Sequence, residues 1–99
     1  MGQREYIEAI GKTWDSDGFL GQLKIGVFDR ALYNELYTAL LKINIRDGEE
    51  IERELIQLLW FIPIFMYRLK EYVTDITPKD FDGLREDIEE QLARIFGYP

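Results

Sequence analysis

The nine residues LLWFIPIFM, Leu58 to Met66, form an apolar run inside a chain that is otherwise dense in charge, with a proline among them. A membrane-spanning helix needs about 20 apolar residues. This run is too short, and it is bracketed by Glu52, Arg53 and Glu54 on one side and by Arg68, Lys70 and Glu71 on the other. It is not a transmembrane segment. A helix apolar on every side belongs among its neighbours, so the run is expected at the centre of a core. Leu58, Ile62 and Phe65 fit one stripe. Trp60 and Phe61 do not, and exposure there would mark a partner-binding patch, since aromatic residues are favoured at such contacts. Pro63 lacks a backbone donor and clashes with the preceding turn, which predicts a kink near Ile62.

No stretch alternates like a strand, and the rest of the chain reads as helices separated by tight breaks. The first spans about Gln3 to Trp14, with Tyr6, Ile7, Ile10 and Trp14 on one face. Asp15-Ser16-Asp17-Gly18 ends it, and a short helical turn from Phe19 to Lys24 follows. Asp29 is a good N-cap for a second long helix reaching about Asn44, and Phe28 can staple onto Tyr33. Leu32, Leu36, Ala39, Leu40 and Ile43 make its core stripe, with Tyr33 and Tyr37 on a second stripe beside it. A third helix is expected to open at Glu49, Glu50, Glu52 and Glu54, where carboxylates suit the positive end of the helix dipole. It continues through Ile51, Leu55, Leu58 or Leu59, and Ile62 to about Val73. The last helix starts with Thr77 as N-cap, Pro78 at the first position and Asp80 at the third. Phe81, Leu84, Ile88, Leu92 and Ile95 form its stripe, and Gly97 stops it. The expectation is a single all-α domain over residues 1–99, a compact bundle of four to five helices whose central helix is kinked near Pro63.

Composition removes most chemistries. There is no cysteine, hence no disulfide, thiolate metal site or thiol nucleophile. There is no histidine, which removes the commonest general base and leaves Ser16, the only serine, without an activating imidazole. Carboxylate clusters in bundles usually hold metal with the help of histidines. Asp15-Ser16-Asp17-Gly18 begins a calcium loop without completing it, and GFLGQLKIG lacks the phosphate-binding spacing. No enzyme, cofactor or metal site is expected. The N-terminal residues carry no apolar stretch that reads as a signal peptide, and Tyr6 spoils the match of Met1-Gly2 to a myristoylation signal. These features suit a cytoplasmic protein.

The net charge of −7 is unevenly placed. Residues 1–46 hold six basic and six acidic side chains, whereas residues 47–99 hold six basic and thirteen acidic. An acidic half disfavours direct nucleic-acid binding and steers toward basic partners. Asp82, Glu86, Glu89 and Glu90 project from one side of the last helix and form the first candidate contact. Glu49 and Glu50 form a second, and Tyr33, Tyr37 and Trp60 are the aromatic candidates. Arg85 and Arg94 are spaced to pair with neighbouring acids. A solvated helix face opposite the core stripe is the plainer reading of the same four acids.

The segment DGFLGQLKIGVFDRALYNELYTALLKIN, Asp17 to Asn44, followed by LLWFIPIFM, resembles the short helical immunity proteins of contact-dependent growth inhibition systems. The likeness covers about half the chain. It rests on the DGF…L turn, the FD helix start with aromatics after it, and the Trp-containing apolar helix interrupted by proline. It implies an inhibitor that binds a cognate toxin domain, often a basic nuclease, and blocks its active site. Such a chain would be a monomer or weak dimer when free. The competing expectation is a non-catalytic structural or regulatory helical module that oligomerises through the apolar helix.

Overall fold

The computed structural model describes residues 3–98, so the Met1-Gly2 start lies outside the described residues. Among the described residues six α-helices follow one another: α1 (Arg4–Thr13), α2 (Phe19–Leu23), α3 (Arg30–Lys42), α4 (Arg53–Trp60), α5 (Ile62–Leu69) and α6 (Pro78–Phe96), with a 3-10 turn at Lys70–Tyr72. The described residues contain no strand. α1 packs on α3 and α4, α2 on α5, and α6 on both α3 and α5. The radius of gyration, 13.4 Å, is that of a compact single domain of this length. The all-α bundle expected from the sequence is therefore observed.

Two helix starts follow their caps. The Asp29 carboxylate accepts from the Leu32 N–H at 3.1 Å, and the Thr77 hydroxyl accepts from the Asp80 N–H at 3.2 Å. Each satisfies a donor that has no partner within its helix. Phe28 reaches Tyr33 with ring centroids 6.4 Å apart, as the staple requires. Gly97 adopts a positive φ of 92° and closes α6.

The third helix departs from expectation. It starts at Arg53, not Glu49, because Gly48 turns the chain with φ of 83° and Glu52 is still extended. It is also two helices: α4 ends at Trp60, Phe61 stands between, and α5 begins at Ile62 with Pro63 in its first turn. Proline is tolerated there because first-turn N–H groups have no helical partner in any case. The residues beyond Leu69 tighten into the 3-10 turn, and buried Val73 lies outside any helix.

The core is drawn from every helix. Ile7 and Ile10 come from α1; Phe19, Leu20 and Leu23 from α2; Leu36 and Leu40 from α3; Leu55 and Leu59 from α4; Ile62 and Met66 from α5; and Phe81, Ile88, Leu92 and Ile95 from α6. Arg94 ties α6 to the end of α3. Its guanidinium donates to the Leu40 and Ile43 carbonyls, both at 2.9 Å. A cation at a helix C-terminus meets orphan carbonyls and the negative end of the dipole. Arg94→Ala is expected to destabilise the fold by about 1 kcal/mol, and Glu90→Ala by less than about half of that. Urea unfolding of the two variants checks the contrast.

Candidate functional site

LLWFIPIFM is not buried all round. Leu59, Ile62 and Met66 face the core, and with Leu55 they make its inner stripe. On the opposite side lie Ile56, Trp60, Ile64 and Tyr67, which are 37, 50, 36 and 56% exposed. Their spacing of four, four and three residues is that of one helix face. The expectation of a fully covered run is therefore corrected. With 99 residues, the remaining helices cover only one side of α4 and α5. Phe61 and Phe65 are half-covered by Trp14, whose indole N–H donates to the Leu58 carbonyl at 3.0 Å. Phe61 is thus partly fixed as structure, and Trp60, 5.3 Å from it, stays open.

The outer stripe ends against α6. The Tyr67 ring lies 4.7 Å from the Lys70 ammonium and 5.4 Å from the Arg85 guanidinium, within cation–π range. Those cations are held by α6 carboxylates. Lys70 pairs with Asp82 at 3.3 Å, and Arg85 pairs with Asp82 at 3.4 Å and with Glu89 at 2.7 Å. The seam therefore runs from an exposed aromatic face through two cations to a row of acids.

The four acids of α6 divide into two kinds. Asp82 and Glu89 are neutralised within the chain by Arg85 and Lys70. Glu86 and Glu90 are exposed and form no ion pair among the described residues. Arg94, spaced to pair with Glu90, turns instead to α3 and to Gln91. The uncompensated negative charge of this stripe is thus carried by Glu86 and Glu90.

The other candidates lie elsewhere. Glu49 and Glu50 belong to the extended segment before α4, and they serve the N-terminal contact. Glu49 accepts from the Arg46 N–H at 3.0 Å, and the Glu50 carbonyl accepts from the Gln3 side chain at 2.9 Å. Gln3 also exchanges hydrogen bonds with Glu52 and is itself buried. The Arg46 N–H first, and the Gln3 amide second, hold the Glu49 carboxyl below the usual glutamate range. A depressed folded-state value contributes stability above the unfolded glutamate value that is lost as pH falls through the folded one. Acid unfolding of Glu49→Gln is accordingly expected to show a shallower loss of stability below the ordinary glutamate range of about 4.3.

Tyr33 is a correction. It is 3% exposed, and its hydroxyl donates to the Leu84 carbonyl at 3.0 Å, so it is a core residue and unavailable to a partner. Burial first, and the Asp87 charge second, raise its phenol far above the ordinary tyrosine value and keep it a neutral donor. Tyr37 stacks on it at 6.0 Å and accepts from the Gln91 amide at 3.3 Å, which places it on the α3–α6 seam, away from Trp60. The structure thus brings together Asp82 and Glu89 but leaves Glu49, Glu50, Tyr33 and Tyr37 apart from them. Ile56, Ile64, Tyr67, Lys70 and Arg85 join the site without having been singled out for it. The signal for the first three was present in their spacing from Trp60.

Among the described residues no cluster of acids is arranged to hold a metal ion, and no helix is long and apolar enough to cross a membrane. No protein-family model, curated protein or solved structure matches the chain.

Proposed function

We propose that this protein is a stoichiometric inhibitor of the immunity type, which binds a basic toxin domain and covers its active site. The observation that carries the reading is an exposed aromatic stripe that ends at Tyr67 against α6, the helix that also carries the exposed, unpaired Glu86 and Glu90. Aromatic anchors beside exposed acids suit a basic, partly apolar partner surface. The aromatics supply desolvated contact, and the acids supply steering and register. The resemblance of Asp17–Asn44 and LLWFIPIFM to immunity proteins points the same way, as does the acidic balance of residues 47–99. Glu86 and Glu90 are the charged contacts in this reading, with Trp60 and Tyr67 as anchors. A nuclease cleft that binds phosphates is basic by necessity, which is why such a toxin fits.

The reading is tested by expressing the product of the adjacent upstream reading frame with and without this protein. Growth arrest alone, relieved by co-expression, is the expected outcome. An upstream product that is harmless, or toxicity that this chain leaves unchanged, contradicts the proposal.

A further inference from the structure

Three aspartates in the chain are followed by glycine: Asp17, Asp47 and Asp82. Such a pair is open to a reaction that needs no enzyme. The glycine nitrogen attacks the aspartate side-chain carboxyl, and no Cβ on the following residue blocks its approach. The fold treats the three pairs differently. After Asp17, the Gly18 N–H donates to the Asp15 carbonyl at 2.9 Å, and Gly18 is buried against the Lys12 and Thr13 backbone. After Asp82, Gly83 lies inside α6, where its N–H is spent in the helical ladder. The Asp82 carboxylate is also held, by Lys70 at 3.3 Å and by Arg85 at 3.4 Å. Asp47 and Gly48 are both exposed and form a turn outside any helix. The Gly48 N–H has no hydrogen-bond partner among the described residues, and a Cβ placed there meets nothing within 4 Å.

We propose that Asp47–Gly48 is a modification site, where the chain converts slowly and unaided to an isoaspartyl linkage. The Gly48 nitrogen bonds to the Asp47 Cγ, and the amide hydrogen and the carboxyl hydroxyl leave as water. The cyclic imide so formed takes up water again at either carbonyl. Breaking the nitrogen–Cγ bond returns aspartate. Breaking the bond from nitrogen to the Asp47 main-chain carbonyl carbon leaves the backbone running through Cβ and Cγ, with a free carboxylate on Cα. That backbone is longer by one methylene. The turn it must fit is closed from both ends. The Glu49 N–H donates to the Arg46 carbonyl, and the Arg46 N–H donates to the Glu49 carboxylate, each at 3.0 Å. The residues that follow hold buried Gln3, whose side chain donates to the Glu50 carbonyl at 2.9 Å and accepts from the Glu52 N–H at 2.8 Å. A lengthened turn cannot keep both of its closing contacts, so the modified chain loosens its hold on Gln3 as well.

Incubation of the purified full chain near neutral pH tests the assignment, with a protein isoaspartyl methyltransferase to label the product and peptide mapping to locate it. Isoaspartate should accumulate at Asp47 at least about tenfold faster than at Asp17 or Asp82, where reaction waits on local opening. In concentrated urea that preference should vanish, since all three pairs are then free. Asp47→Glu, whose longer side chain does not close the same ring, should reduce total labelling to that of the other two pairs. The separated modified form should unfold at lower urea than the parent, and Gln3→Ala should shrink that difference. Equal accumulation at the three pairs in the folded chain overturns the proposal, and so does a preference for Asp47 that persists unchanged in urea. A modified form as stable as the parent overturns the link to Gln3. None of these readouts involves a partner, so their failure leaves toxin binding standing, and the reverse also holds.

Discussion

Gly21→Ala is expected to destabilise the protein by about 3 kcal/mol or more, while Gly83→Ala leaves stability unchanged or raises it by up to about 1 kcal/mol. Both positions are helical glycines, so propensity alone predicts a gain at each. Space decides between them. A Cβ on Gly21 collides with the Asp15 carbonyl oxygen and lies 2.7 Å from the Asp15 carbonyl carbon and 2.9 Å from Ser16 Cα. These are backbone atoms of the turn that joins α1 to α2, and they cannot step aside as a flexible side chain does. Gly18 is equally hemmed in, by the Lys12 and Thr13 backbone. A Cβ on Gly83 meets nothing within 4 Å. Urea midpoints read the two signs directly. For a domain of this size, 3 kcal/mol corresponds to a fall in Tm of roughly 12–24 °C. Gly21→Ala within about half a kcal/mol of the parent contradicts the packing described for the α1–α2 turn.

Phe19→Ala is expected to cost about 3–5 kcal/mol. Phe19 is 1% exposed, and its ring meets those of Phe28 at 5.7 Å and Tyr33 at 5.4 Å, both edge-on. Phe28 in turn contacts Phe81 at 6.4 Å. One side chain of the short α2 therefore packs on the entry to α3 and, through Phe28, backs the start of α6. Truncation leaves a cavity beside the Phe28 and Tyr33 rings, and both edge-to-face contacts are lost with it. Thermal unfolding should show a clear drop for Phe19→Ala and less than about 1 kcal/mol for Trp60→Ala, which removes a half-exposed ring. That pair separates residues that hold the fold from residues free to serve a partner.

Much of the fold was legible because its signals are local. Asp29 and Thr77 announced their helices through a side-chain oxygen that reaches a nearby N–H. The Phe81 to Ile95 stripe shows its period within one helix. The start of α4 was misread because glutamates suit both a first turn and an extended lead-in. The contact that selects the latter, Gln3 with Glu50 and Glu52, spans the whole first half of the chain. The covering of LLWFIPIFM was misjudged for a related reason. Periodicity gives the two faces of a helix, but how many neighbours surround it depends on the packing of every other element. Tyr33 shows the same limit. Its place on a second stripe was visible, whereas the Leu84 carbonyl that receives its hydroxyl lies on another helix. Of the acidic stripe, spacing gave the row. It did not give the division between Asp82 and Glu89, which are paired across to Lys70 of the 3-10 turn and within α6, and Glu86 and Glu90, which are not.

The central claim is that the α5–α6 seam holds a basic protein partner. Calorimetric titration of this chain with the inactivated product of the upstream reading frame tests it most directly, across a range of salt concentrations. The account predicts a one-to-one complex that weakens as salt rises. In Glu86→Lys/Glu90→Lys the affinity should fall at least about tenfold and the salt dependence should flatten, because the charges that steer the partner are gone. Trp60→Ala should weaken binding at all salt concentrations without flattening that dependence. A complex whose affinity is the same in all three proteins contradicts the assignment of this face, and no binding at all contradicts the claim itself.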